Sequence, residues 1–397
     1  MSRNNPPLNN YKLFDLNIPA ANGLKRGFTT GTCATAATQA ALTLLLTNTK
    51  MDTVPVVLPT GTDYSNDNWH DQQFIPIPIQ DVKWNDNNTA YASVIKDAGD
   101  DPDRTQGATI FAEIRSNHLN HIRFLAGKGV GTVTKPGINL PVGAAAINPI
   151  PRKMIQQALQ KIMNENALPA DNLGYDITIG CINGENIAKK TFNPKLGIEG
   201  GISILGTSGI VEPMSLSSWI ASIEVYVKVA LADNSTEIAL LPGKIARSFV
   251  KQQLQLPTHK AIEIANFLGE ALDFTQSILN QQHRRLNKLW LLGHPGKLAK
   301  ILDGSWNTHS SKSKMAMNNV AKIAAQYSLS KQTLRIIQHA DTVESIIQQL
   351  KYHTEGKKLW ICVEKQIAML VKQRAPLVEL VEVRLFDLKG NPIGVDA

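Results

Sequence analysis

Arg26-Gly-Phe-Thr-Thr-Gly-Thr-Cys33 runs without a break into Ala34-Thr-Ala-Ala-Thr-Gln-Ala-Ala-Leu-Thr-Leu-Leu-Leu46, a glycine/threonine loop feeding a stretch rich in alanine and leucine. Alanine and leucine lose little on entering a helix, and Thr30 or Thr32 offers a hydroxyl for the unpaired N–H groups of a first turn. A helix over about Cys33–Leu46 follows. Around it the texture differs: from Leu24 to about Met214 short apolar runs alternate with dense Gly, Thr, Pro and Asn, which reads as strands joined by elaborate loops. A second helix is expected from Pro151 to about Asn164, with proline suited to its start. This half reads as α+β.

After about Ser215 the periodic stretches lengthen. The pattern predicts a helix ending near Leu231, a strand at Glu237–Leu241, a helix near Ile245–Leu254, a helix at Phe267–Gln282 and a strand at Leu289–Leu292. Helical stretches from Ser313 to about Gln373 and an alternating strand, Val378–Phe386, complete the chain. Such βαβ spacing belongs to an α/β domain with a parallel sheet. The expected division is an α+β domain over 1–232 and an α/β domain over 233–397, with the final strand free to return to the first sheet. The first twenty residues, rich in Asn and Pro, are expected to be loosely ordered.

Of the 397 residues, 41 Lys and Arg against 33 Asp and Glu leave a net charge of +8, which favours an anionic partner. The basic residues are scattered and aromatics make up 6% of the chain, so nucleic acid is not the expected partner. No run approaches the ~18 apolar residues of a membrane span, and the N-terminus has no apolar signal core. Cys33, Cys181 and Cys362 are odd in number and far apart, which argues against a disulfide framework or a zinc site. A soluble, cytoplasmic protein without a metal site is expected.

Several loops carry residue types suited to ligands. Thr29, Thr30 and Thr32 at a helix start could hold an anion with the free N–H groups there, or could simply cap the helix. Cys33 is either a thiol activated by the helix N-terminus or a buried, inert one. Lys96-Asp-Ala-Gly-Asp-Asp-Pro-Asp103 gathers carboxylates, among them Asp100, Asp101 and Asp103, that repel one another unless a cation, an arginine or solvent relieves them. Gly127-Lys-Gly-Val-Gly131, with Gly129 and Gly131, follows an apparent strand at His121–Ala126, as loops that receive a nucleoside do, but Pro136 stops it from opening a helix. Lys135 beyond it is a candidate anion contact. Asn148 precedes a helix whose first turn holds Arg152 and Lys153, where the dipole disfavours cations and a negative group should compensate. Asn193, Thr207 and Glu212 sit in glycine-laden loops around a short strand at Ile202–Leu205. Leu289-Trp-Leu-Leu-Gly-His-Pro-Gly-Lys-Leu298 is a strand–turn–helix start presenting His294 and Lys297, and its spacing does not match a phosphate loop.

Taken in order, GFTTGTCATAA from Gly27, IKDAGDDPDRTQGA from Ile95, GKGVGTVTKPG from Gly127, AINPIPRKMI from Ala146, TFNPKLGIEGGISILGTSGIVEPMS from Thr191, NFLGEALD from Asn266, GHPGKLAKILDG from Gly293 and NTHS from Asn307, which adds His309, resemble the cobalt-precorrin-5B (C1)-methyltransferase family of anaerobic cobalamin biosynthesis. The resemblance covers most of residues 24–310. It implies an α+β N-terminal domain followed by a smaller α/β Rossmann-like three-layer domain. It also implies methyl transfer from S-adenosylmethionine to C1 of cobalt-precorrin-5B, giving cobalt-precorrin-6A and S-adenosylhomocysteine. The implied partner is an anionic cobalt-containing tetrapyrrole, with neighbouring pathway enzymes as further candidates. Lys135, Arg152, Lys153 and Lys297 would suit clamping of its carboxylates, and the Asp-rich loop could face the methyl donor or anchor a neighbouring arginine. No catalytic residue is carried over. Two departures stand out: Gly143-Ala144-Ala145 where the family is expected to read Gly-Glu-Pro, and a basic Ser311-Lys-Ser-Lys-Met after NTHS. The readings left as alternatives are a phosphate-binding kinase-like enzyme and a non-catalytic tetrapyrrole- or RNA-binding protein.

Overall fold

The computed structural model describes residues 11–59, 73–166, 174–313 and 316–394. The chain divides into two compact units, Met1–Ser215 and Leu216–Ala397.

The first unit is built on a five-stranded sheet: β1 (Asp81–Asp86), β2 (Thr89–Ile95), β3 (Thr109–Ser116), β4 (Arg123–Ala126) and β5 (Tyr175–Cys181), in the order β1-β2-β3-β5-β4. All pairs are antiparallel except β5 with β4. The buried face of β2 and β3, with Ala90, Ala92, Ile110 and Ala112, shares a core with α1 (Thr30–Thr47). That helix is buried over nearly all of its length, which is why it is made of alanine and threonine: small side chains let it approach the sheet on one side and α2 (Pro149–Glu165) on another. Its interior threonines, Thr35 and Thr38, bond back to the carbonyls of Gly31 and Ala34, so their hydroxyls need no solvent. The unit also holds a three-stranded sheet, ordered Lys12–Leu13, Gln73–Pro78, Thr53–Val57, and three two-stranded pairings among its loops.

Three expectations change here. The α1 cap is Thr29, whose hydroxyl accepts from Thr32 N–H at 3.2 Å, rather than Thr30 or Thr32. Of the strand expected at Ile202–Leu205, Gly201–Ile202 pairs with Gly129–Val130, and beyond it Ile204 bridges Ile147. Residues 1–10 of the Asn/Pro-rich start lie outside the described residues, whereas Lys12–Leu13 form a strand and Tyr11 is buried.

The second unit holds four parallel strands, β6 (Glu237–Leu241), β7 (Ala261–Glu263), β8 (Leu286–Gly293) and β9 (Val378–Leu385), in the order β7-β6-β8-β9. On one side, Ile238, Leu240, Leu289 and Leu291 meet α3 (Leu216–Leu231), α4 (Leu268–Gln281) and α5 (Gly356–Arg374) in the larger core. On the other, Ala239, Leu241, Leu292 and Phe386 are covered by Ala246 and Val250. The helix expected near Ile245–Leu254 is present over residues 247–254, starting as an α turn, Arg247–Phe249, and widening to a π turn, Val250–Leu254, before Gln255 at φ 52° ends it. Three further helices, Met317–Gln326, Lys331–His339 and Val343–Leu350, lie between β8 and α5 in sequence. The division falls before α3 and not after it, because Ile223, Val227, Ala230 and Leu231 belong to the second core. The final strand pairs with β8, inside the second unit.

Candidate active site

In the first unit the motif loops meet around the start of α1, and they engage one another. Thr30 Oγ1 bonds to the carbonyls of Ser203 and Leu205 and accepts from Leu205 N–H, while Thr32 Oγ1 donates to Gly209 O at 2.7 Å. Gly31 N–H donates to Leu205 O and Cys33 N–H to Thr29 O. The N–H groups of Gly31, Thr32 and Cys33 are therefore taken by the fold. A Cβ on Gly206 would lie 2.3 Å from Thr29 Oγ1, which is why glycine faces this turn; Thr207 beyond it is exposed.

The Asp-rich loop is likewise satisfied from within. Asp97 pairs with Lys25 at 2.9 Å, Asp100 accepts from Lys25 N–H, and Asp101 accepts from Met214 N–H. Lys96, almost wholly buried, pairs with Asp103 at 2.7 Å. Burial pushes Asp103 up, but the Lys96 ammonium and the Thr105 N–H and hydroxyl outweigh it and hold the carboxyl below the usual range. Glu212 pairs with Arg26 at 2.7 Å. The like charges gathered along the sequence are thus dispersed onto Lys25, Lys96 and the Met214 backbone.

The glycine loop after β4 lies against other backbone. A Cβ on Gly129 would sit 2.0 Å from Cys181 O, one on Gly201 2.2 Å from Gly129, and one on Gly131 2.5 Å from Ile198. Lys135 lays its stem over Gly197, and Asn193 bonds to Gly201 O and accepts from the Ser203 hydroxyl. Asn148 precedes α2 without a side-chain cap. Arg152 donates through Nε to Ile147 O at 2.7 Å and through Nη2 to Ala145 O at 3.1 Å, and its guanidinium lies 5.1 Å from the Phe124 ring centre. No carboxylate among the described residues pairs with it; carbonyl dipoles and a ring face stand where a negative group is expected. Cys33 is fully buried, and burial pushes its thiol far above the ordinary range.

The second unit contains an open cavity of about 530 Å³ at the carboxyl ends of β8 and β9, where parallel sheets commonly hold ligands. His294, the residue after β8, and Leu388, just beyond β9, line it together with Lys300, Ser310, Thr342 and Glu344. The His294 ring is pinned at both nitrogens: Nδ1 accepts from Gly296 N–H at 3.0 Å, so Nε2 carries the proton it shares with Glu344 Oε2, also at 3.0 Å. Glu344 accepts in addition from Gln348 and from Leu388 N–H. Lys300 is buried and donates to Thr308 O. Lys297 is turned to Pro242 O, and burial, then the nearby Lys300 charge, lowers its pKa. His309 bonds to Ser311, one residue past Ser310 on the cavity wall. Two motifs, GHPGKLAKILDG and NTHS, therefore converge here. Lys300, Thr342, Glu344 and Leu388 were not among the residues expected for the site. Lys300 stands inside the first of these motifs, while the other three carry no sequence signal.

The family described as CbiD matches residues 18–213, and that described as CbiD, C-terminal domain, matches residues 307–397. The chain belongs to the CbiD family. Curated CbiD relatives include a cobalt-precorrin-5B C(1)-methyltransferase of Ralstonia nicotianae, 50% identical over 381 residues and covering 96% of both chains. One of the same name from Chromobacterium violaceum is 48% identical, covering 96% of this chain and 97% of that one. A solved cobalamin biosynthesis protein from Archaeoglobus fulgidus is 25% identical, covering 78% of this chain and 87% of that one, with a TM-score of 0.37. Among the described residues no helix is long and apolar enough to cross a membrane.

Proposed function

We propose that this CbiD protein is a cobalt-precorrin-5B C(1)-methyltransferase that takes its methyl group from S-adenosylmethionine and works in the cytoplasm. The observation that carries this reading is the 48–50% identity, over 96% of the chain, to relatives of that name. S-adenosylmethionine supplies an electrophilic sulfonium methyl. Attack by an electron-rich ring carbon needs alignment rather than a protein nucleophile, and alignment alone offers effective molarities of roughly 10⁵–10⁸ M. The residues fit such chemistry: Cys33 is buried and held as a thiol, and His294 has both ring nitrogens engaged. The second unit, with its parallel sheet, is read as the smaller Rossmann-like domain, and its cavity as the place where a reactant is held. Arg152, half-buried and without a carboxylate partner among the described residues, remains the best-placed residue of the first unit for an acidic arm of the tetrapyrrole.

The test is incubation with cobalt-precorrin-5B and isotopically labelled methyl donor, followed by mass spectrometry. One labelled methyl per macrocycle, located at C1, is the expected product. Folded protein that leaves fresh substrate unmethylated would remove the reading.

A further inference from the structure

Lys300 lines the cavity and is 8% exposed, yet among the described residues its Nζ has one hydrogen-bond partner, Thr308 O at 3.0 Å, and no ion-pair partner. An ammonium has three N–H donors, and holding one away from water without a counter-charge is unfavourable. The acid on the wall, Glu344, makes no ion pair with it and is engaged instead by His294, Gln348 and Leu388 N–H. The neighbouring Lys297 adds a second positive charge. Thr308 itself carries a buried hydroxyl with no partner. A buried cation short of partners and the Ser310 hydroxyl side chain on the same wall are groups that a carboxylate would satisfy together.

Resting on the proposed reaction, we propose that this cavity is the methyl-donor site and that Lys300 anchors the carboxylate of the donor's amino-acid end. Both reactants bear carboxylates. The volume favours the donor: about 530 Å³ suits a molecule the size of an adenosyl amino acid, whereas a cobalt macrocycle ringed by acetate and propionate arms is far larger and would enter by one arm alone.

The experiment is calorimetric titration of the full-length protein and its Lys300→Met, Lys300→Arg and Leu388→Trp variants. Three probes are used: S-adenosylhomocysteine, 5′-methylthioadenosine, which lacks the amino-acid end, and cobalt-precorrin-5B. Lys300→Met should weaken S-adenosylhomocysteine binding about tenfold or more, leave 5′-methylthioadenosine within about twofold of wild type, and not lower the melting midpoint. Lys300→Arg should recover part of the loss. Leu388→Trp, at an exposed wall position, should weaken both nucleosides without affecting folding. Unchanged S-adenosylhomocysteine affinity in folded Lys300→Met would overturn the assignment, as would equal loss of both nucleosides. Loss of tetrapyrrole binding alone would reassign the cavity to an arm of the macrocycle. If wild type methylates its substrate while any of these results holds, only the site assignment fails; if wild type makes no methylated product, the function itself fails.

Discussion

Arg152 shows what a single residue can and cannot disclose. Its position in the first turn of a helix signals a missing negative charge, and that much is legible in the sequence. The carbonyls of Ala145 and Ile147 that stand in for it are not legible, because they depend on the chain doubling back just before α2. Arg152→Met removes two charge-assisted hydrogen bonds and strands the Ile147 carbonyl, while Ala145 O keeps Ile147 N–H, so stability should fall by roughly 1–3 kcal/mol, read as a lower urea midpoint. S-adenosylhomocysteine affinity should hold; a loss of tetrapyrrole affinity beyond that explained by unfolding would mark Arg152 as a substrate contact. Cys33 is the simpler case. Cys33→Ser places a hydroxyl in a site with no exposure and should cost roughly 1–3 kcal/mol, while turnover per folded molecule stays at no less than roughly a tenth of wild type. Abolished turnover with an unchanged melting midpoint would make the thiol catalytic.

At the scale of elements, helices and strands whose signals are local were readable: α1 from its alanines, and β6 with its bounds unchanged at Glu237–Leu241. The glycine loops were readable as close approaches, but not what they approach. Thr30 engages Leu205, 175 residues along the chain, and nothing near Thr30 says whether its partner is a ligand or a backbone. One junction joins three strands. Asp176 on β5, 2% exposed, takes Arg123 of β4 at 2.7 Å and Arg115 of β3 at 3.0 Å, with Asn117 as a third donor. The Arg123 hydrogen bond, outweighing burial, holds its carboxyl well below the usual range with help from Asn117 and Arg115. A depressed acid stabilises the fold fully above its unfolded pKa of about 3.9 and loses that contribution as pH falls toward the folded value. Asp176→Asn should therefore lower the urea midpoint at pH 7, by roughly 1–3 kcal/mol, and the gap from wild type should narrow as the pH drops below about 4. A gap that is the same at both pH values would mean that the charge does not tie these strands.

For the whole molecule, each unit has its own core: one cluster runs from Phe28 to Ile210, the others from Ile223 to Phe386. Fragments 1–215 and 216–397 should each fold and melt cooperatively in calorimetry, and the second should retain S-adenosylhomocysteine binding if the cavity suffices for the donor. A non-cooperative second fragment would show that its core needs more than its own residues. Only one side of the cavity is legible in the sequence, the turn after β8 that presents His294; Glu344 and Leu388 come from remote segments, and in sequence Lys300 looks like any surface lysine.

The place of β9 in the second sheet also governs how the protein is made. Translation delivers β8 long before β9, with the Met317–Arg374 helices emerging in between, and until Val378–Leu385 is synthesised one edge of β8 has no strand to complete it. An open edge of that kind recruits other strands, so the nascent chain is most exposed to mispairing while the ribosome reads this helical interval. Slow codons there would lengthen the hazard, and chaperone demand should track the time taken to cross it.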